Sequence, residues 1–297
     1  MWPGIEMPGH IVALGPYFRR GSVLRCFRND RIVGHSHYGS LRFIFPLVLD
    51  VGRHQHGVPL GDGVILALAD ESDRIQGVVG WVPLADEKVG EHLERLSHHR
   101  KFKAVRHVVQ DEPDDNFILG DDFNRGIGML QDYGLVYDIL IFQKHLPPTI
   151  EFVDRHPNQL FVIDHLAKPV IHNGRIEKEW RSGMTALAER ENICAVKISG
   201  MVTEVTNDTI DEVTLKDYLY ETLEMFGAKR VSFGTAWPVC LPRLDSYLDW
   251  ATSVRNYVAE LSTHEQDAIL QETCEAAYRL RDFAGPLTSS RFSQSPS

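Results

Sequence analysis

Cysteine is scarce in this chain. Its 297 residues include only Cys26, Cys194, Cys240 and Cys274, none in a Cys-x-x-Cys pair. That scatter offers neither a disulfide framework nor a zinc ribbon, and the expectation is reduced thiols in a cytoplasmic protein. Positive charge is also short: Lys+Arg 31 against Asp+Glu 41 leaves a formal charge of −10. A chain without a basic footprint is not expected to bind nucleic acid or an anionic membrane surface. No apolar run approaches the length of a membrane span, and Met1 to Arg20 lacks the basic-then-apolar pattern of a secretory leader. There is no tandem repeat of solenoid length, and no GxGxxG or Walker-type glycine loop follows any apolar run.

What remains is an ordinary globular composition, 43% hydrophobic and 24% charged. From Gly63 onward it has a clear rhythm. Val64 to Ala69 reads as the end of a helix. Six short β-branched runs come after it, at Gly77–Val82, Ala104–Val109, Val136–Phe142, Leu160–Ile163, Ala195–Ile198 and Arg230–Phe233. Amphipathic segments separate them: Glu87–Ser97, Phe123–Tyr133, Pro148–Arg155, Glu179–Arg190 and Thr214–Phe226. Alternation of strand and helix means parallel strands joined by helical crossovers. Six units from Gly63, with room for two more in residues 1–62, fit a closed (β/α)8 barrel. An open doubly wound sheet competes, but the missing dinucleotide loop weakens it.

Residues 1–62 read as an atypical, irregular segment. One run, Phe43 to Val51, suits a strand, with Pro46 confining it to an edge or a bulge. Two His-x-His pairs, His35/His37 and His54/His56, stand here. Alternate strand positions point the same way, so either pair offers two imidazoles to a divalent metal such as zinc. Histidine is frequent in the chain, 14 residues, so such pairs also arise by composition alone. At the other end, Leu244–Leu261 and His264–Leu280 read as helices, with Ser262 and Thr263 as N-caps of the second. The Ser/Pro-rich residues 282–297 are expected to be a disordered tail beyond a barrel domain of residues 63–281.

Chemistry gathers where the strand runs end. Phe161-Val162-Ile163-Asp164-His165-Leu166-Ala167-Lys168-Pro169 passes from a buried strand straight into charged groups. Trp81 ends the first run, Arg106 and His107 lie in the second, Tyr137 and Asp138 begin the third, and Lys197, Ser199 and Gly200 end the fifth. Gly234-Thr235-Ala236-Trp237-Pro238-Val239-Cys240 comes after the sixth. In a barrel such ends converge on one face. The plain alternative for each residue is a satisfied polar loop or core packing. Neighbours on a strand face opposite ways, so Arg106 and His107 cannot both face a pocket.

GVVGWVPL, AVRHVVQDEPDDNF, YDILIFQKHLPP, FVIDHLAKP, VKISGMVTE and VSFGTAWPVC, in this order and spacing, resemble the amidohydrolase-related lactonases. That group includes L-fuconolactonase, L-rhamnonolactonase and the pyrone-dicarboxylate lactonases, and the likeness spans about residues 63–281. It implies a TIM barrel of the metal-dependent hydrolase type and hydrolytic opening of a sugar lactone or related cyclic ester in carbohydrate metabolism. His165 and Arg106 are then candidates for carbonyl polarisation and carboxylate or hydroxyl recognition. Trp81, His107, Tyr137, Lys197 and Trp237 are candidate substrate contacts, with Lys197 alternatively paired to Glu204.

Two departures stand out. The family's first strand ends in His-x-His near the N-terminus, and residues 1–62 do not match that pattern. Its last strand ends Gly-Ser-Asp-Trp-Pro, where this chain has Ala236 in place of the Asp. The family carboxylate resembles a general base, and alanine has no lone pair for a proton. The competing expectations are a barrel that binds a sugar acid without turnover and an inactive product of a disrupted gene. The partner in either active reading is a small molecule; oligomeric state is left open.

Overall fold

The structure, a computed structural model, describes residues 12–14, 47–51 and 62–280. Among these residues eight parallel strands form one sheet in chain order. They are β1 (Val12–Leu14), β2 (Leu47–Val51), β3 (Ile75–Gly80), β4 (Phe102–Val108), β5 (Val136–Leu140), β6 (Phe161–Ile163), β7 (Ile193–Ile198) and β8 (Val231–Phe233). Each pairs with the next, and from β2 onward helices join them, which is the topology of a (β/α)8 barrel. Two strands come from the segment that reads as irregular in the sequence. Its two His-x-His pairs lie outside the described residues, as does the C-terminal tail.

Pro46 lies outside the described residues. The strand begins at Leu47 and pairs on both sides, so β2 is interior rather than an edge. Of the two alternatives expected for this run, an edge or a bulge, the ladder shows the irregularity: its register shifts between Leu47 and Val48.

The main crossover helices are α1 (Asp62–Asp70), α2 (Val89–Ser97), α3 (Asp121–Leu130), α4 (Leu146–Arg155) and α5 (Lys178–Ala188). After β7 come the single turn α6 (Met201–Glu204) and the longer α7 (Glu212–Phe226). After β8 come α8 (Tyr247–Val258) and a helical run that starts at Ser262, where a reciprocal Ser262/Glu265 capping box satisfies the first free N–H groups. That run is not one uniform helix. It is α9 (Thr263–Asp267), a π-helical stretch (Ala268–Glu272) and α10 (Thr273–Ala277). The wider π turn rotates α10 relative to α9. Cys274, Ala277 and Tyr278 accordingly pack with Val79, Ala104, Val136, Val162 and Ala195 in a small inner cluster.

The larger cluster lies between the strands and the helices. Strand alternation divides the two: on β4 Ala104 is inner and Val105 outer, and on β5 Val136 is inner while Tyr137 and Ile139 are outer. Continuing that period turns Arg106 and Asp138 inward.

Close packing of helix on strand end is most exacting at Gly126 of α3. A Cβ there would lie 2.1 Å from the Leu84 carbonyl oxygen and 2.9 Å from its carbon. Backbone cannot yield as a flexible side chain can. Gly126→Ala gains about 1 kcal/mol of helix propensity but is expected to lose more, with overpacking costs of about 1–3 kcal/mol. Thermal unfolding should therefore show a lower Tm; an unchanged or higher Tm contradicts this contact.

Candidate active site

Four ionised side chains meet inside the strands. Arg106 of β4 donates from a terminal guanidinium nitrogen to Asp164 Oδ2 at 2.9 Å. Lys197 of β7 reaches Asp164 Oδ1 at 2.7 Å and donates to Asp138 Oδ2 at 2.5 Å. The Tyr278 hydroxyl donates to the same Asp138 oxygen at 2.7 Å. All five residues are buried. Two cations and two carboxylates balance, and burying ions costs several kcal/mol each unless geometry and hydrogen bonds offset it. Burial pushes the Asp164 carboxyl upward, but Lys197 and Arg106 outweigh it and hold it well below the usual carboxylate range. At Asp138 burial prevails over Lys197 and raises the carboxyl to about 6, with the Asp164 charge adding to the rise.

Asp164 also leads into an unusual turn. His165, Leu166, Ala167 and Lys168 all have left-handed backbone, with φ of 52°, 53°, 55° and 45°. Left-handed conformation costs a non-glycine residue about 1–2 kcal/mol, so four in a row persist only where their surroundings dictate it. The surroundings here are specific. Trp180 Nε1 donates to the Leu166 carbonyl at 2.7 Å, and the Lys168 amide to the His165 carbonyl at 2.8 Å. Lys168 Nζ pairs with Glu204 at 3.2 Å and lies 4.7 Å from the Phe142 ring centre. His165 Nδ1 shares a 2.6 Å hydrogen bond with Ser199 Oγ. Gly200, itself at φ 66°, lets the chain pass so close to His165 that a Cβ would stand 3.0 Å from the ring.

His165 is half-buried. Burial lowers its pKa to about 3; Asp164 opposes the shift, while Arg106, Lys168 and Lys197 reinforce it. A neutral imidazole bonded at Nδ1 leaves Nε2 as its second functional nitrogen.

The structure brings Arg106 and His165 together through Asp164. Ala236 lies buried beyond β8 with φ 51°, in the loop that holds the cis Trp237-Pro238 bond. Trp237 is in the main core cluster, and its amide donates to Thr235 Oγ1 at 3.1 Å. Trp81, half-buried just past β3, donates from its indole N–H to His107 Nδ1 at 3.4 Å.

Three of the expected substrate contacts are engaged within the protein. His107 faces the helices: it stacks on Phe117 with ring centres 5.0 Å apart, and its Nε2 meets Glu112 at 2.7 Å. Tyr137 is fully buried among Phe123, Phe152 and Phe161, on the outer face that strand alternation assigns it. Lys197 is sealed between Asp138 and Asp164, and Glu204 pairs with Lys168 instead. Asp138 and Tyr278 are additions to the site expected from sequence. Asp138 carries a signal, since it stands two residues after the inward Val136.

The described residues contain no cluster of three His, Cys, Asp or Glu able to hold a metal ion. Asp138 and Asp164 face cations, and Ala236 offers no donor. These residues alone do not fit a zinc centre. The two His-x-His pairs lie outside them.

The amidohydrolase family pattern matches residues 41–280, and the chain belongs to that family. An L-fucono-1,5-lactonase of Burkholderia multivorans is 33% identical over 228 residues, covering 73% of this chain and 75% of that protein. An L-rhamnono-gamma-lactonase of Scheffersomyces stipitis is 25% identical over 181 residues, 54% of each chain. A crystal structure of a Burkholderia multivorans amidohydrolase with bound zinc superposes with a TM-score of 0.71 at 30% identity, covering 80% of this chain and 84% of that one. Membership places the chain among hydrolases and makes it an enzyme by kinship. No helix among the described residues is long and apolar enough to cross a membrane.

The electrostatics of His165 are directly measurable. Its folded pKa of about 3 lies below the ordinary value of 6.5, so the unfolded chain binds the extra proton first. The neutral ring therefore contributes stability that is complete above 6.5 and is lost as pH falls from there toward 3. Asp138, raised to about 6, acts in the opposite sense: its contribution is lost as pH rises from 3.8 through 6. NMR of the His165 ring carbons is expected to show no titration from about pH 8 down to about pH 5. A midpoint near the ordinary histidine value contradicts the enclosure described.

Proposed function

We propose that this chain opens a sugar lactone or a similar cyclic ester by attack of water at the barrel mouth. The observation that carries the reading is Arg106, near the C-terminal end of β4, bound to Asp164, with a neutral His165 directly after it in the turn that follows β6. Lactone hydrolysis forms a bond from water oxygen to the acyl carbon and breaks the bond from that carbon to the ring oxygen. Negative charge grows first on the carbonyl oxygen and then on the departing ring oxygen. A guanidinium and an imidazole N–H are donors suited to that oxyanion, and a guanidinium also binds a carboxylate through two parallel hydrogen bonds. The proton that the attacking water loses must reach the leaving ring oxygen, and a neutral His165 can relay it by accepting it at one ring nitrogen and then giving it up as the imidazolium. The product hydroxy acid ionises and releases one proton per turnover. The lactonase relatives support a sugar lactone as substrate. Trp81, half-buried beside the mouth, is the candidate wall for its ring.

Zinc, present in the related crystal structure, would supply Lewis acidity if donors from the first 62 residues completed a centre.

Ala236 favours a second reading, a barrel that binds sugar acids with little or no turnover. It stands where the lactonase motif has Asp, so the residue best placed to take the proton from water is missing. Its left-handed backbone is one that Asp adopts more readily than most residues. Ala236→Asp is therefore expected to be accommodated and to raise hydrolysis by about 10²–10⁴-fold, the usual worth of a general base. The check is proton release from a panel of sugar lactones, beginning with L-fucono-1,5-lactone, with both proteins. Equal and substantial rates would show that another group is the base. No turnover by either, together with a Tm raised by lactone or sugar acid, would establish the binding reading.

A further inference from the structure

We infer that Asp138 and Tyr278 are positioning residues for Arg106, acting on it through Lys197 and Asp164. The inference rests on the reading of Arg106 as a group that meets substrate.

The links form one unbroken line. Tyr278 Oη donates to Asp138 Oδ2 at 2.7 Å, and Lys197 Nζ donates to that same oxygen at 2.5 Å. Lys197 Nζ then holds Asp164 Oδ1 at 2.7 Å, while Asp164 Oδ2 receives Arg106 at 2.9 Å. Asp164 is thus tied at both oxygens. Its carboxylate plane is fixed from one side by Lys197, and the guanidinium takes its orientation from the other. Lys197 has two anionic partners, and the share it gives each depends on how well Asp138 is satisfied without it. Tyr278 supplies Asp138 with its second donor and lies with its ring centre 5.4 Å from the Lys197 ammonium.

Stability does not require such a line. Buried ion pairs replaced by apolar groups of similar volume often leave a protein equally or more stable. The surrounding cluster, Val79, Ala104, Val136, Val162 and Ala195, shows that this interior accepts an apolar filling. The line also reaches across the molecule. Tyr278 comes from the end of α10, 140 residues beyond Asp138, and it is turned inward after the π-helical stretch at Ala268–Glu272. The last helix among the described residues thereby sets the posture of a residue at the mouth.

Tyr278→Phe keeps the ring and removes only the hydroxyl. The expected result is a kcat reduced about 10–100-fold, the scale of a small misplacement of a catalytic group, with KM changed less than about threefold because the loss falls on the transition state. A second readout needs no substrate: the solvent exchange of the Arg106 guanidinium protons, followed by NMR and assigned with Arg106→Lys. It is expected to be slow in the unaltered chain and at least about tenfold faster in Tyr278→Phe, as a loosened buried contact requires. A variant that loses only Tm, with kcat per folded molecule and guanidinium exchange unchanged, overturns the inference. So does an Arg106 that exchanges in the unaltered chain as fast as exposed arginines do. If the unaltered chain opens no lactone, the lactonase reading fails and the exchange result alone decides the positioning of Arg106. Should Tyr278→Phe not fold, the isosteric Asp138→Asn takes its place with the same readouts.

Discussion

Asp164 is the residue on which the rest of the site depends. It is fully buried just after a three-residue strand, and it accepts a hydrogen bond from Arg106 on one oxygen and forms an ion pair with Lys197 at the other. One carboxylate thereby ties together β4, the turn after β6, and β7. Without its charge, Arg106 and Lys197 would each lose a buried anionic partner. Removing one partner of a buried pair costs about 3–5 kcal/mol, because the penalty of the orphaned charge is no longer offset.

The turn after Asp164 shows what this anchoring permits. Four successive left-handed residues are a strained path. The strain is offset by contacts converging from several elements: Trp180 of α5 on the Leu166 carbonyl, Glu204 of α6 on Lys168, and Ser199 and Gly200 after β7 against the His165 ring. The outcome is a half-buried imidazole held in the turn after β6 and kept neutral. An ordinary right-handed turn after Asp164 would aim residue 165 elsewhere. The sealed ion network below and the strained turn above are therefore two halves of one device. The first fixes where the second begins.

Much of this is legible in the chain, for physical reasons. From β3 onward the strands announce themselves because each is a β-branched run with an amphipathic helix after it, and charged residues at their ends have nowhere to go but the barrel mouth. The first two strands are harder. Val12–Leu14 is only three residues long among glycines and prolines, and Pro46 disguises the start of Leu47–Val51. Within the site, alternation separates Arg106 from His107 but does not say which is inward. The answer lies with Ala104 and Val136, whose small inner cluster exists only once the barrel curls. Tyr137 reads as a substrate contact, yet it packs among aromatic rings on the outer face while its neighbour Asp138 turns inward, since one residue along a strand reverses the face. Proximity in sequence matches Lys197 to Glu204, whereas its true partners lie 59 and 33 residues away, on β5 and in the turn after β6. Tyr278 gives no local sign at all, because its place depends on a π-helical turn and on a helix returning beneath the barrel. Ala236, by contrast, is plain from the motif alone.

The most direct measurement is the unfolding free energy of Asp164→Asn, determined in denaturant alongside the unaltered chain. Asparagine keeps the shape and removes the charge that Arg106 and Lys197 share. The expected result is a loss of about 3–5 kcal/mol, with the midpoint lowered and the slope unchanged. A loss below about 1 kcal/mol, the range of an ordinary solvent-exposed pair, would contradict the central place given to this carboxylate.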